Sequence, residues 1–258
     1  MNTIVVIPAR YASTRFPGKP LALLGGKPIV DYAYAAAVKA SGVQRAVVAT
    51  DDDRILNHVH DIFGREAAMM TSTEHRSGTD RCGEVVRTLA AQGHTFDIVV
   101  NLQGDEPFVD PAQIEALESA FDDPQVQIAT LATPIHSTDE LLSPNNVKVV
   151  CGDGGRALYF SRQPIPYRRG VDTDQWLDNG TYLKHVGIYA FRSKALAEVC
   201  HLESRPLEES EKLEQLRWLS AGYTIKVLLT DHANIGIDTP DDLAAAEQYF
   251  NSKKTTTI

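Results

Sequence analysis

Three cations, Arg10, Arg15 and Lys19, lie on one short stretch, and Pro17, Gly18 and Pro20 constrain the backbone around the last of them. Arginine offers a planar fork of donors that fits phosphate oxygens, and lysine a compact point charge. Cations so crowded repel one another unless an anion sits among them. The stretch therefore reads either as a cradle for a triphosphate or as a solvated basic loop. Carboxylates form a second group. Asp51-Asp52-Asp53 has a DxD spacing that can hold a divalent cation, but it also opens a helix, where capping and the helix dipole favour acidic residues. Asp105 follows Gly104 and is either a ligand for a hard cation or a turn residue. Asp238 precedes Thr239-Pro240, which by themselves explain a helix start, so the aspartate is left without a local structural task. Ser77, Gly78 and Thr79 lead into another helix. They present amides and hydroxyls suited to a base edge or ribose, or simply to turn and cap chemistry.

The elements that would position these groups follow from periodicity. Thr3–Ile7 is a β-branched apolar run, the mark of a buried strand, and Pro8 ends it for want of an amide proton. Ala46–Thr50 and Asp97–Gln103 are further buried strands. Helices are expected over Ile29–Ala40, from Asp51 to Phe63, over Asp80–Ala91 and over Asp110–Ala120. Strand and helix alternate, so the crossovers should be parallel and the loops holding Arg10, Asp51 and Asp105 should gather at one sheet edge, where α/β folds bind ligands. After a fourth strand, Gln127–Thr133, the alternation loosens. Val147–Cys151 and Arg156–Phe160 flank a glycine-rich hairpin turn. Residues 168–182, with one tryptophan, read as a long surface loop. Lys184–Phe191 is a strand that puts His185 and Tyr189 on one side. Such a pair is more often packing with satisfied hydrogen bonds than a site. Pro206–Ala221 reads as one helix, Thr224–Leu229 as a strand, and a last helix runs to Phe250 before a polar tail, 251–258, expected to be disordered.

Composition narrows the class. The 258 residues suffice for one large α/β domain, with 43% hydrophobic and 23% charged residues. A formal charge of −9 speaks against general nucleic-acid binding and makes the basic loop a local exception. No apolar run is long enough to span a bilayer, and no signal peptide is evident, so no membrane partner is expected. Cys82, Cys151 and Cys200 have neither disulfide nor zinc spacing, which fits a cytoplasmic protein.

Taken together, PARYASTRFPGKP (8–20), NLQGDEP (101–107), ALYFSRQPIP (157–166), HVGIYAF (185–191), PLE (206–208) with LEQLR (213–217), and IDTPDDL (237–243) resemble the 3-deoxy-D-manno-octulosonate (KDO) cytidylyltransferases over residues 3 to 250. The first two motifs are shared in weaker form with other sugar nucleotidyltransferases. Phe16 stands where leucine is common. The resemblance implies a Rossmann-like nucleotidyltransferase fold, α/β with a mostly parallel sheet, in a single domain (1–250) with a smaller β-rich lid or dimerisation portion. It implies transfer of CMP from CTP to KDO with release of pyrophosphate, for lipopolysaccharide synthesis, with Mg2+ and in a homodimer. It also implies roles. Arg10, Arg15 and Lys19 would hold the triphosphate. Ser77, Gly78, Thr79 and Arg81, with Gln103 and the backbone at Ala9, would hold cytidine. Asp105 and Asp238 would bind the metal. Arg162 would meet the sugar's carboxylate, and His185, Tyr189, Glu214 and Gln215 its hydroxyls. Leu213, Leu216 and Trp218 are candidates either for dimer contact or for the core. Rival readings are a cytidylyltransferase for a related acidic sugar, a metal-dependent glycosyltransferase using Asp51 and Asp53, and a non-catalytic CTP sensor.

Overall fold

In the computed structural model the described residues are 1–178, 182–232 and 235–256, without the side chains of 253–256. The chain divides into two compact units, residues 1–115 with 233–258, and residues 116–232. The first contains β1 (Thr3–Pro8), a small ribbon of β2 (Leu23–Leu24) and β3 (Lys27–Pro28), α1 (Ile29–Lys39), β4 (Val43–Thr50), α2 (Asp53–Phe63), β5 (Ala68–Met70), α3 (Gly78–Ala91) and β6 (Ile98–Asn101). The division falls inside α4 (Pro111–Ser119). β1 lies between β4 and β6, β5 joins the far side of β4, and every pairing is parallel. Ile4 to Ile7 are fully buried, and α1 and α3 both pack against β1. That is why the strand reads as a continuous apolar run and not an alternating one. Register places Pro8 beside Ala49 and Val6 beside Asn101, so the loops leaving β1, β4 and β6 do gather at one edge.

The second unit holds β7 (Ile128–Pro134), α5 (Thr138–Leu142), β8 (Lys148–Cys151), β9 (Ala157–Ser161), β10 (Leu183–Arg192), α6 (Ser193–Val199), α7 (Pro206–Glu211), α8 (Gln215–Ser220) and β11 (Ile225–Leu229). β11 pairs parallel with β7, whereas β7 with β10, β10 with β8, and β8 with β9 are antiparallel. The expected parallel α/β sheet is thus the first unit, and the expected β-rich portion is the second. α9 (Pro240–Thr256) belongs to the first unit. It carries Ala246 and Phe250 to a core with Leu24, Ile29 and Ile237.

Several expectations need correcting. The helix expected over Pro206–Ala221 is two, α7 and α8, because Lys212 adopts the left-handed conformation at φ 54° between them. Leu213, Leu216 and Trp218 are buried within the chain, which makes them core and not contact surface. Of the loop expected over 168–182, residues 179–181 lie outside the described residues, and the rest is not a plain surface loop. Trp176 is buried, stacks on Tyr182 and donates from Nε1 to the Val171 carbonyl, in a cluster with Ile135 and Leu141. The last helix passes Phe250 and runs to Thr256, while 257–258 of the expected tail lie outside the described residues. No helix among the described residues is long and apolar enough to cross a membrane.

Candidate active site

In the first unit, a cavity of about 250 Å³ opens at the ends of β1 and β6. Arg10, Arg15 and Lys19 line it beside Ser77, Gly78 and Arg81, with Gln103, Asp105 and Asp238. Its centre of charge is Lys19. The side chain is almost wholly buried, and its Nζ donates to Asp105 Oδ2 at 2.5 Å and to Asp238 Oδ1 at 3.0 Å. Burial pushes the ammonium pKa down, but the two carboxylates, Asp105 foremost, outweigh it and leave the value raised. Arg15 reaches the other oxygen of Asp238 at 3.0 Å. Arg10 is exposed and forms no ion pair among the described residues.

Local chemistry sets both carboxylates. Gly104 precedes Asp105 because a Cβ there would sit 2.9 Å from the Pro8 carbonyl oxygen, which its amide meets at 3.2 Å. Only a glycine permits so close a backbone approach. Asp238 is placed by a cap. Thr239 Oγ1 accepts from the amide of Asp242, and Asp242 Oδ2 accepts from the amides of Asp238 and Thr239. Burial raises the Asp242 pKa, but the Thr239 hydroxyl, which donates to Oδ2 at 2.9 Å, and then those two amides, with Arg15 nearby, bring it below the usual carboxylate range. The amide of Ile237 donates to the Asp105 carbonyl, which ties the two aspartate segments together. Two oxygen-bearing, part-exposed carboxylates that share one nitrogen fit a hard divalent cation with room for water or phosphate. Among the described residues no cluster of three metal-ligating side chains occurs.

The opposite wall is the start of α3. Ser77 caps it, accepting from the Asp80 amide at 3.1 Å. Gly78 leaves a slot where a Cβ would meet the Gln103 amide at 3.1 Å and the Pro8 ring at 3.2 Å. Gln103 is oriented by donating to Asn101. Thr79 is buried, takes a hydrogen bond from Asn101 and does not line the cavity. The Ala9 amide goes to the Ala49 carbonyl. Arg81 is committed to structure, donating to Asp51 at 2.7 Å and to Thr71. Asp52 caps α2 and forks onto Arg54. Asp51 and Asp52 thus have structural partners, so the rival that used Asp51 and Asp53 for metal finds one of its two carboxylates already held by Arg81. Ser13, Arg76 and His75, paired with Glu84, also line the cavity. The polar run before α3 signals His75 and Arg76 in the sequence, and Ser13 lies on the basic loop, but nothing local distinguishes them from turn residues.

The sugar candidates lie in the second unit. A bulge between Val186 and Tyr189 adds two residues to β10 opposite β7. The bulge lies between His185 and Tyr189, whose ring centres are 5.2 Å apart. It also frees carbonyls at Val186 and Ile188, which the fully buried Thr130 hydroxyl reaches at 3.2 and 2.8 Å. Its proton being so used, Thr130 accepts from His185 Nε2 at 3.0 Å, which selects the Nε2–H tautomer and leaves Nδ1 as an acceptor. Burial pushes the His185 pKa down to about 3, so the ring is neutral. The Tyr189 hydroxyl is buried without a partner among the described residues. Burial, with Glu214 nearby, drives its pKa well above the usual value. Arg162 donates to the carbonyls of Glu211 and Pro144, and Glu214 accepts from Arg217 at 2.8 Å. Gln215 is buried at the start of α8.

A parallel α/β sheet whose edge carries a cationic loop, two cation-ready carboxylates and a capped helix start is built to hold a nucleotide's phosphates, as a nucleotidyltransferase requires. A family model for cytidylyltransferases matches residues 4–226. The 3-deoxy-manno-octulosonate cytidylyltransferases of Porphyromonas gingivalis and Phocaeicola vulgatus are 50% and 49% identical to it, each alignment covering 98% of this chain and 99% of the relative. A solved structure of CMP:2-keto-3-deoxy-manno-octonic acid synthetase complexed with CTP superposes with a TM-score of 0.88 at 41% identity, over 98% of this chain and 100% of that one. The chain belongs to the cytidylyltransferase family and, within it, to the 3-deoxy-manno-octulosonate cytidylyltransferases.

Proposed function

We propose that the protein transfers the cytidylyl group of CTP to KDO, forming CMP-KDO and pyrophosphate. The observation that carries the reading beyond family membership is Lys19 bridging Asp105 and Asp238 in a cavity whose other wall is the start of α3. The anomeric hydroxyl of the sugar attacks the α-phosphorus in line, the bond to the bridging oxygen breaks, and pyrophosphate leaves while the hydroxyl proton is released. Such chemistry asks for placement and charge neutralisation more than for covalent help. Lys19 and Arg15 leave their carboxylates for the triphosphate, and Arg10 adds a third charge. Ser77, Gly78 and Gln103 form the base slot. Asp105 and Asp238 would hold Mg2+, which when bound supplies further neutralisation at the α-phosphate and lowers the pKa of the attacking hydroxyl. His185, neutral, orients sugar hydroxyls through Nδ1 and is not a base. The unpartnered Tyr189 hydroxyl, with Glu214, Gln215 and the remaining donor of Arg162, completes the sugar contacts. The product serves lipopolysaccharide synthesis, in the cytoplasm, from a homodimer. The three free cysteines support that compartment, and the family resemblance supports the rest.

The test is pyrophosphate release from CTP and magnesium, with and without KDO, in wild type and Asp238→Asn. KDO-dependent release that collapses in the variant is expected. Release only with another acidic sugar would replace the substrate, and CTP binding without release under any acid would leave a sensor.

A further inference from the structure

The Asp51–Arg54 stretch and Tyr11 take no part in the proposed chemistry, and neither Tyr11 nor Arg54 lines the cavity. Their geometry nonetheless converges on the basic loop. The Tyr11 carbonyl accepts from the amides of Ser13 and Gly18, both at 2.9 Å, so the loop closes on itself at Tyr11. Gly18 has φ +72°, and a Cβ there would lie 2.9 Å from the Tyr11 ring. The ring therefore rests where only a glycine leaves space, one residue before Lys19. The Arg54 guanidinium carbon lies 3.3 Å from the centre of the same ring. Its plane is set by a fork: Nε and one terminal nitrogen donate to the two oxygens of Asp52 at 2.9 and 2.7 Å, and Asp52 is itself fixed as the cap of α2. Further along, Phe16 packs on the core of Leu24, Ile29 and Ile237. Two aromatics thus hold down a loop whose cations line the cavity.

We propose that Tyr11 and Arg54 are positioning residues for the CTP triphosphate. They form a clasp between the start of α2 and the basic loop that presets Arg15 and Lys19 before nucleotide arrives. The inference rests on the CTP reading for its ligand, though not for the clasp itself. Such a contact needs the aromatic ring and is served best by a planar guanidinium, so the tyrosine hydroxyl is dispensable and a lysine is a weaker substitute.

The test uses the full chain with Tyr11→Leu, Tyr11→Phe and Arg54→Lys. In the free protein, hydrogen exchange at the Gly18 amide should quicken at least tenfold in Tyr11→Leu and stay within twofold of wild type in Tyr11→Phe. Titration with CTP in the presence of magnesium should show about five- to tenfold weaker binding for Tyr11→Leu and about threefold for Arg54→Lys. Tyr11→Phe should match wild type, with the KM for the sugar and the melting temperature unmoved in all three. Unchanged exchange at Gly18 in Tyr11→Leu would overturn the clasp. Quickened exchange with unchanged CTP affinity would overturn its positioning role, as would parallel losses in both substrates and in melting temperature. A wild type that does not bind CTP would remove the ligand assignment, while the exchange data would still decide the clasp.

Discussion

Replacing Lys19 by methionine separates the two roles its position gives it. The ammonium is a structural counter-ion in the free protein and a charge for the reacting phosphates in the complex. Removing one partner of a buried ion pair costs about 3–5 kcal/mol. The Lys19 side chain is 10% exposed, but Asp105 is 30% and Asp238 48% exposed, so water screens the carboxylates left behind. A loss of about 2 kcal/mol is the figure this burial supports, which lowers Tm by roughly 4–8 °C for a protein of this size. Turnover should fall about 10²- to 10³-fold, the usual effect of deleting a preorganised donor aimed at developing charge. Magnesium should behave in the opposite sense. In wild type the ammonium already sits between the two carboxylates, whereas in Lys19→Met nothing competes with a divalent ion there. Without nucleotide, added Mg2+ should therefore raise the Tm of the variant by more than that of wild type, following the usual ligand linkage. Thermal melts at several magnesium concentrations, with steady-state pyrophosphate release, make the measurement. Equal magnesium shifts in both proteins would refute the shared-cation argument, and turnover within tenfold of wild type would refute the catalytic one.

Asp51→Asn should lower stability by about 2–4 kcal/mol in denaturant melts, because it strands the Arg81 guanidinium in the interior, while metal-dependent turnover falls only a few-fold. A turnover lost together with metal binding would revive the DxD reading. His185 has a folded pKa depressed below its unfolded value near 6.5, so its contribution is complete above that value. It is lost as pH falls toward about 3, at up to about 1.4 kcal/mol per pH unit. His185→Gln keeps a donor for Thr130 without titrating, so its Tm should vary less between pH 7 and 5 than that of wild type. Equal slopes in the two proteins would contradict a depressed histidine. Gly104→Ala forces a methyl against the Pro8 carbonyl and should cost about 1–3 kcal/mol while displacing Asp105, seen as a raised magnesium requirement for turnover.

The parts of this design that were legible in the sequence are those whose cause is local. β1, β4 and β6 announce themselves because strands buried on both faces must be apolar throughout, and Gly104 and Thr239-Pro240 mark backbone tasks that few other residues perform. From those, the gathering at one edge of the loops holding Arg10, Asp51 and Asp105 follows, although Asp51 itself is not among the residues that line the cavity. What stayed hidden depends on partners far along the chain. Asp51 looked like either a cap or a metal ligand until Arg81 was seen beside it, and Trp176 looked isolated without Tyr182. The break at Lys212 puts a lysine in a conformation its type rarely adopts, so helical periodicity ran straight through it. The β10 bulge was equally hidden, because alternation shows which side His185 and Tyr189 share but not that their rings meet across a bulge.

The bond between Lys19 and Asp238 spans 219 positions, and that between Lys19 and Asp105 spans 86. A chain emerging from the ribosome therefore meets these contacts at very different times. β1, β4 and β6 can assemble, with Lys19 already on Asp105, while the whole second unit is still being made. Asp238 arrives only after it, with α9 closing the core around Leu24 and Ile29. Long-range closures of this kind come late and slowly. The cation site is thus completed only after the whole second unit: a chain halted before Asp238 would have its base slot but no second carboxylate.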